Sequence, residues 1–212
     1  MKEKTLSELT NEEIGQFFPI EISAYNNIWP QLYKQELKLI TDALPYRLVT
    51  RIEHFGSTSI PGLASKNTIE ILMEVEFEEE SNQKLIAIMK TLSYDFNWQN
   101  EGEHTHMVFV KGYNPSNPGQ QTYHIHAGPK DHPIWDRIYF RDYLIKHPEI
   151  AKEYEGLKIK LAQEFKHERV AYRIAKTDFV KKITEIAKQQ GCIKEKAPNQ
   201  EILTVISEIS NT

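Results

Sequence analysis

His54-Phe55-Gly56-Ser57-Thr58-Ser59-Ile60-Pro61-Gly62-Leu63-Ala64-Ser65-Lys66-Asn67-Thr68-Ile69-Glu70-Ile71 is the stretch on which the fold turns. Residues from Leu48 to Phe55 alternate as a strand does, Gly56 to Asn67 carry the glycines, serines and proline of a loop, and Ile69 to Phe77 reads as a second strand. Gly56, without a side chain, lets backbone N–H groups approach a phosphate, and Ser57 offers a hydroxyl. Further on, Glu70 puts a carboxylate inside a largely apolar strand, which is costly unless the group is solvated, paired or bound to a metal. The same pattern also suits a tight turn followed by a strand-edge glutamate facing water.

Working outward, Trp29, Leu32, Tyr33, Leu37, Ile40 and Leu44 recur at helical spacing until Pro45 stops them. Ser7, Glu8, Asn11, Glu12 and Glu13 suggest a short acid-rich helix before that one. Leu85, Ile86, Met89 and Leu92 predict a helix over one sheet face, and His104 to Val110 and Gln121 to Ala127 predict two more strands. The segment between them, KGYNPSNPGQ, is a turn or loop. Beyond Pro133 the chain reads as helical over Ile134 to Lys146, Ile150 to Phe165 and Val170 to Gln189. The expectation is an α/β or α+β chain: a mixed sheet with flanking helices and a helical C-terminal half. Its organisation reads as an N-terminal helical extension (1–20), one domain (21–190) and a polar tail (191–212) ending in an apolar ILTVISEI.

The 212 residues carry a formal charge of −4, which argues against bulk nucleic acid as a partner, because that needs a surplus of cations. Charge is uneven: residues 130–188 hold 14 Lys or Arg against 10 Asp or Glu, so an anion site fits best beside the C-terminal helices. No apolar run is long enough to span a bilayer, the N-terminus has no export pattern, and the single cysteine, Cys192, has no partner for an internal disulfide. A cytoplasmic protein without a membrane partner is expected.

HFGSTSIPGLASKNTIEI resembles the signature of the GrpB family, and HIHAGPKDHPIW, FRDYLIKHPEIAKEYEGLKIKLA and YRIAKTDF resemble its later motifs. The resemblance runs from Tyr25 to Phe179 and implies a nucleotidyltransferase-like fold. In that superfamily a Gly-Ser loop grips the phosphates of a nucleoside triphosphate, while two acids alternating on the next strand hold divalent metals. Gly56, Ser57 and Thr58 occupy the loop positions and Glu70 that of the first acid, so Ser57 and Glu70 are the catalytic candidates. Leu72 stands where the second acid belongs, and Glu74, about 13 Å along the strand from Glu70, is too far away to share a metal with it. The motifs add Lys66, Arg141, Lys158, Tyr172 and Lys176 as candidates for contacting phosphate or a stacked base. The family also occurs fused to dephospho-coenzyme A kinase, which points to nucleotide or coenzyme A chemistry.

His104 and His106 alternate on one strand and His124 and His126 on the next, so each pair faces one side and a hairpin can juxtapose two of them. One arrangement is a metal site of Glu70, His124 and His126, holding Mg or Mn, with Zn a further fit for the imidazoles. Three readings follow. The first is a nucleotide- or phosphate-binding protein using a divalent metal, with nucleotidyl transfer as its reaction. The second is a non-catalytic nucleotide or coenzyme A module, and the third a His/Glu metal-site protein.

Overall fold

In the computed structural model, residues 6–191 are described, Gly102 excepted; Cys192 and the apolar tail lie outside the described residues. Helix α1 (Asn11–Phe17) starts at a capping box, in which the Glu13 amide donates to Thr10 Oγ1 and the Thr10 amide to the Glu13 carboxylate. Helix α2 (Trp29–Ala43) has Pro30 in its first turn and ends short of Pro45. Strand β1 (Val49–Phe55) leads through a 3-10 turn at Ser57–Ser59 and a loop into β2 (Thr68–Val75) and α3 (Glu79–Thr91). Then come β3 (Asp95–Glu101), β4 (His104–Lys111), β5 (Thr122–Gly128), and the helices α4 (Asp136–Lys146), α5 (Pro148–Glu164), α6 (Arg169–Ala175) and α7 (Thr177–Gln189).

The described residues form one five-stranded sheet in the order β1-β2-β5-β4-β3. All neighbours are antiparallel except β2 and β5, which run parallel with Glu70 opposite His124 and Leu72 opposite His126. Because paired residues share a face, Phe55, Glu70, Leu72, His124, His126 and Val108 point to one side of the sheet and Ile69, Ile71, Met73, Ile125 and Phe109 to the other. The second side is covered by α2 and α3 in a closed apolar core with Trp29, Ile40, Leu85 and Met89. The first side meets the C-terminal helices: Ile134 and Ile138 pack on Phe55 and Leu72, and Ile60 and Leu63 pack among α4, α5 and α7.

Two elements depart from expectation. β3, DFNWQNE, not among the expected strands, pairs along its whole length with β4 at the sheet edge. The single helix expected over Val170 to Gln189 breaks at Lys176 (φ −92°, ψ −11°). The break lets two stripes reach two cores, with Tyr172 packing on Ile20 and Leu161 while Ile183 and Ala187 pack on α4 and α5. Among the described residues no helix is long and apolar enough to cross a membrane.

Candidate functional site

The Gly-Ser turn is built to bring backbone against a carboxylate. Gly56 has φ +73°, and a Cβ there would fall 2.0 Å from Glu70 Oε2, so only glycine fits both the conformation and the space. The Ser57 side chain lies close enough to the Tyr154 phenol to oppose part of its upward pKa shift, and Ser59 Oγ donates to the Gly56 carbonyl at 2.6 Å. Thr58 is a strut: fully buried, it donates to the Thr68 carbonyl at 3.1 Å and lies 3.1 Å from His54 Nε2, an imidazole stacked on Tyr33. Its hydroxyl is engaged by these two partners within the scaffold.

The loop beyond is pinned by α5. Glu155 Oε2 accepts from the Ala64 amide at 2.6 Å and Lys158 Nζ donates to the Ala64 carbonyl, so one helical turn holds both backbone groups of one residue. This fixes Lys66, two residues on, at the mouth of β2. The Lys66 and Lys176 ammonium groups both lie over the Tyr172 ring, at 5.9 and 4.1 Å from its centre, and Lys158 lies over Tyr154 at 5.0 Å. Lys66, Lys158, Lys176, Tyr172 and Glu70 therefore come together, as the motifs imply.

Electrostatics define the cleft. Burial first, then Arg169, Lys176 and Lys158, push Lys66 down to about 7, against a partial opposing pull from Glu70. Burial and Lys176 bring Lys158 to about 7, and burial with Arg137 and Arg173 brings Lys176 to about 8, Glu70 again opposing. Burial also raises the Tyr154 and Tyr172 phenols, with the Glu70 charge adding to both shifts. Among the described residues the Glu70 carboxylate has no side-chain ion pair within 4 Å, and its charge acts on Lys66, Lys158, Lys176, Tyr154 and Tyr172 alike.

The remaining candidates divide. Arg141 does not reach this space: its guanidinium is buried between Glu53 (3.0 Å), the His54 carbonyl (2.7 Å) and Asp142 (2.7 Å), tying α4 to β1. Arg137, one turn earlier on α4, does act there, its charge reaching Lys176, Tyr154 and His126. The hairpin does juxtapose histidines. His106 Nε2 lies 3.0 Å from His126 Nδ1, and His132 closes on His106 at 5.0 Å between ring centres. His124 is turned to Tyr113 instead, whose hydroxyl is 2.6 Å from its Nε2. Glu70, His124 and His126 thus share a sheet face without forming a ligand set, and among the described residues no group of three or more His, Cys, Asp or Glu is placed to hold a metal ion.

Arg169, Tyr113 and Tyr154 complete the site without having stood out in the sequence. Arg169 Nη2 donates to the Tyr113 hydroxyl at 3.1 Å and Nη1 to the Phe18 carbonyl at 2.7 Å, fastening the N-terminal segment to the cleft wall. Tyr113 lies in a Pro/Gly/Asn-rich loop, Arg169 in a charged run and Tyr154 in an apolar helical stripe; none of these patterns shows which side chain turns inward.

The fold and site define an α/β protein whose mixed sheet brings a Gly-Ser turn and a lone carboxylate together from its first two strands. The chain belongs to the GrpB family, whose profile, described as GrpB protein, matches residues 19–186. It is 36% identical over 165 residues to a UPF0157 protein of Pseudomonas aeruginosa, covering 77% of this chain and 66% of that one. It is 34% identical over 171 residues to the UPF0157 protein YqkA of Bacillus subtilis, covering 80% of this chain and 48% of that one. These relatives therefore extend well beyond the matched region. The crystal structure of the conserved protein GrpB from Enterococcus faecalis superposes with a TM-score of 0.67 at 29% identity, over 80% of this chain and 98% of that one.

Proposed function

We propose that the cleft binds the polyphosphate of a nucleotide or a related phosphate ligand. The observation that carries this reading is the charge inventory. Lys66, Lys158, Lys176 and Arg169 converge where the carboxylates that oppose them are Glu70 and Glu155, and the lysines hold their protons weakly. Cations in excess, Lys158 buried and the others half-buried, call for an anion, and a phosphate chain carries several charges and many acceptors. Gly56 and Ser57 supply the wall against which such a chain would lie.

The donor set fits one divalent ion and not two. Mg²⁺ commonly takes one or two protein carboxylates together with substrate phosphates and water, a role Glu70 can fill with its unengaged oxygens. A second ion would need a second acid, but Leu72 is sealed under Ile134 and Ile138, and Glu74 accepts from Thr50 Oγ1 at 2.8 Å. Such an ion would neutralise phosphate charge when bound; the lysines and Arg169 would orient the chain and neutralise the rest. Nucleotidyl transfer is a second reading, favoured by the placement of Glu70 against the Gly-Ser turn.

Thermal unfolding with ATP, GTP, CTP, UTP and coenzyme A, each with and without Mg²⁺ or Mn²⁺, tests the proposal. A ligand at a hundred times its Kd adds about 2.7 kcal/mol, or roughly 5 to 10 °C for a chain of this size. A shift lost in Lys176→Ala supports phosphate binding, and no shift with any of the five ligands refutes it. Metal dependence abolished by Glu70→Gln, with release of pyrophosphate, supports transfer. A shift indifferent to Glu70 leaves a non-catalytic binding module.

A further inference from the structure

We propose that His124 is a hydrogen-bond donor to the ligand's oxygens, locked by Tyr113 and Arg169 as the Nδ1–H tautomer, rather than a metal ligand. The proposal rests on the phosphate-binding reading of the same cleft. The argument begins at Arg169. A guanidinium only donates, so its 3.1 Å contact uses the Tyr113 oxygen as acceptor. The Thr122 hydroxyl also lies beside the phenol, but the phenolic proton is directed along the shortest contact, to His124 Nε2 at 2.6 Å. A neutral imidazole that accepts at Nε2 carries its proton on Nδ1.

The ring is held neutral. Burial foremost, then Lys66 and Arg169, lower its pKa to about 3. A metal would need a lone pair, and the Nε2 lone pair is engaged while Nδ1 is protonated. Placement makes the donor useful: His124 is paired with Glu70 across parallel strands, so the imidazole and the carboxylate stand side by side on the cleft face. An N–H there complements the lysines, because it gives direction where ammonium groups act as point charges.

The relay reads as a positioning device, which makes Tyr113 and Arg169 positioning residues for His124. The experiment uses the full chain with inorganic tripolyphosphate as probe. Imidazole nitrogen NMR at pH 7 should report His124 protonated at Nδ1, with Tyr113→Phe mixing the two tautomers. Tripolyphosphate should shift the Nδ1 resonance. His124→Ala should weaken tripolyphosphate binding by about tenfold, the typical worth of one good hydrogen bond to a charged group. His124→Asn, whose side-chain N–H falls near the Nδ1 position, should recover most of the loss, and His124→Gln should not. An Nε2–H tautomer overturns the proposal, as does a Zn²⁺ or Mn²⁺ titration that perturbs the His124 nitrogens first. Unchanged tripolyphosphate affinity in His124→Ala removes the donor role and leaves the binding reading standing. A wild-type chain that binds no tripolyphosphate removes both.

Discussion

At the scale of single residues, the cleft depends on contacts that tolerate little change. Gly56→Ala would require a Cβ 2.0 Å from Glu70 Oε2 at φ +73°, so both the left-handed conformation and the clash count against it. The conformational cost alone is about 1 to 2 kcal/mol, and a loss of at least that much unfolding free energy is expected in urea titrations, with loss of ligand-induced stabilisation. Arg141 gives a sharper contrast with the cleft cations. Removing it leaves Oε2 of the buried Glu53 and the His54 carbonyl without their donor while Arg51 keeps Oε1, so Arg141→Ala should destabilise by about 1 to 3 kcal/mol, whereas Lys176→Ala should leave stability unchanged or raised. Equal losses in the two variants, measured by chemical unfolding, would contradict the division of Arg141 into scaffold and Lys176 into site.

At the scale of elements, β2 shows both what the sequence discloses and where it stops. Its apolar alternation, the glycine turn before it and the isolated Glu70 are local, so strand and site position are legible together. Lys66, Lys158, Tyr172 and Lys176 are legible only as parts of motifs, since nothing in their own windows distinguishes them from solvated lysines and core tyrosines. Thr58 and Arg141 belong to the same motifs yet serve as struts, because a motif records which residues recur and not which way they point. The α6–α7 break is illegible for another reason: no glycine or proline marks it, and only the demand of two separate cores produces it. Leu72 tests the strand itself. Leu72→Asp would recreate the alternating acid pair, but its side chain would enter an apolar pocket of Phe55, Ile134 and Ile138 with no exposure. A loss of about 3 kcal/mol or more is expected in thermal or urea unfolding, with no gain in metal-dependent activity. A stable, active Leu72→Asp variant would show that the second acid position remains usable.

At the scale of the whole molecule, titration links the cleft lysines to stability. Lys66 and Lys158 near 7 and Lys176 near 8 release protons that the unfolded chain keeps up to about 10.5. The unfolded state therefore binds more protons across that window, and the stability of the ligand-free protein should rise with pH from about 7 to 9.5. His54 and His124, near 3, and His106, near 4, act in the same direction lower down, so stability should be lost as pH falls below about 6.5. Urea midpoints across pH measure both slopes, and a profile that falls from pH 7 to 9.5 would contradict the first. A bound polyphosphate should restore the lysine protons, so binding near pH 8 should take up protons, seen calorimetrically as an enthalpy that varies with the buffer.

The parallel pairing of β2 with β5 carries a consequence for how fast the chain finds this arrangement. Thr68 and Thr122, which meet across it, are 54 positions apart, while β3, β4 and β5 follow one another as a local meander. Local pairings form before distant ones, because closing a long loop costs entropy before its contacts form. Glu70 and His124 therefore become neighbours only when that distant step completes. A phosphate compound bridging the two strands should slow unfolding and leave the refolding rate nearly unchanged in stopped-flow measurements, because its binding surface is absent from the chain still on its way to the barrier.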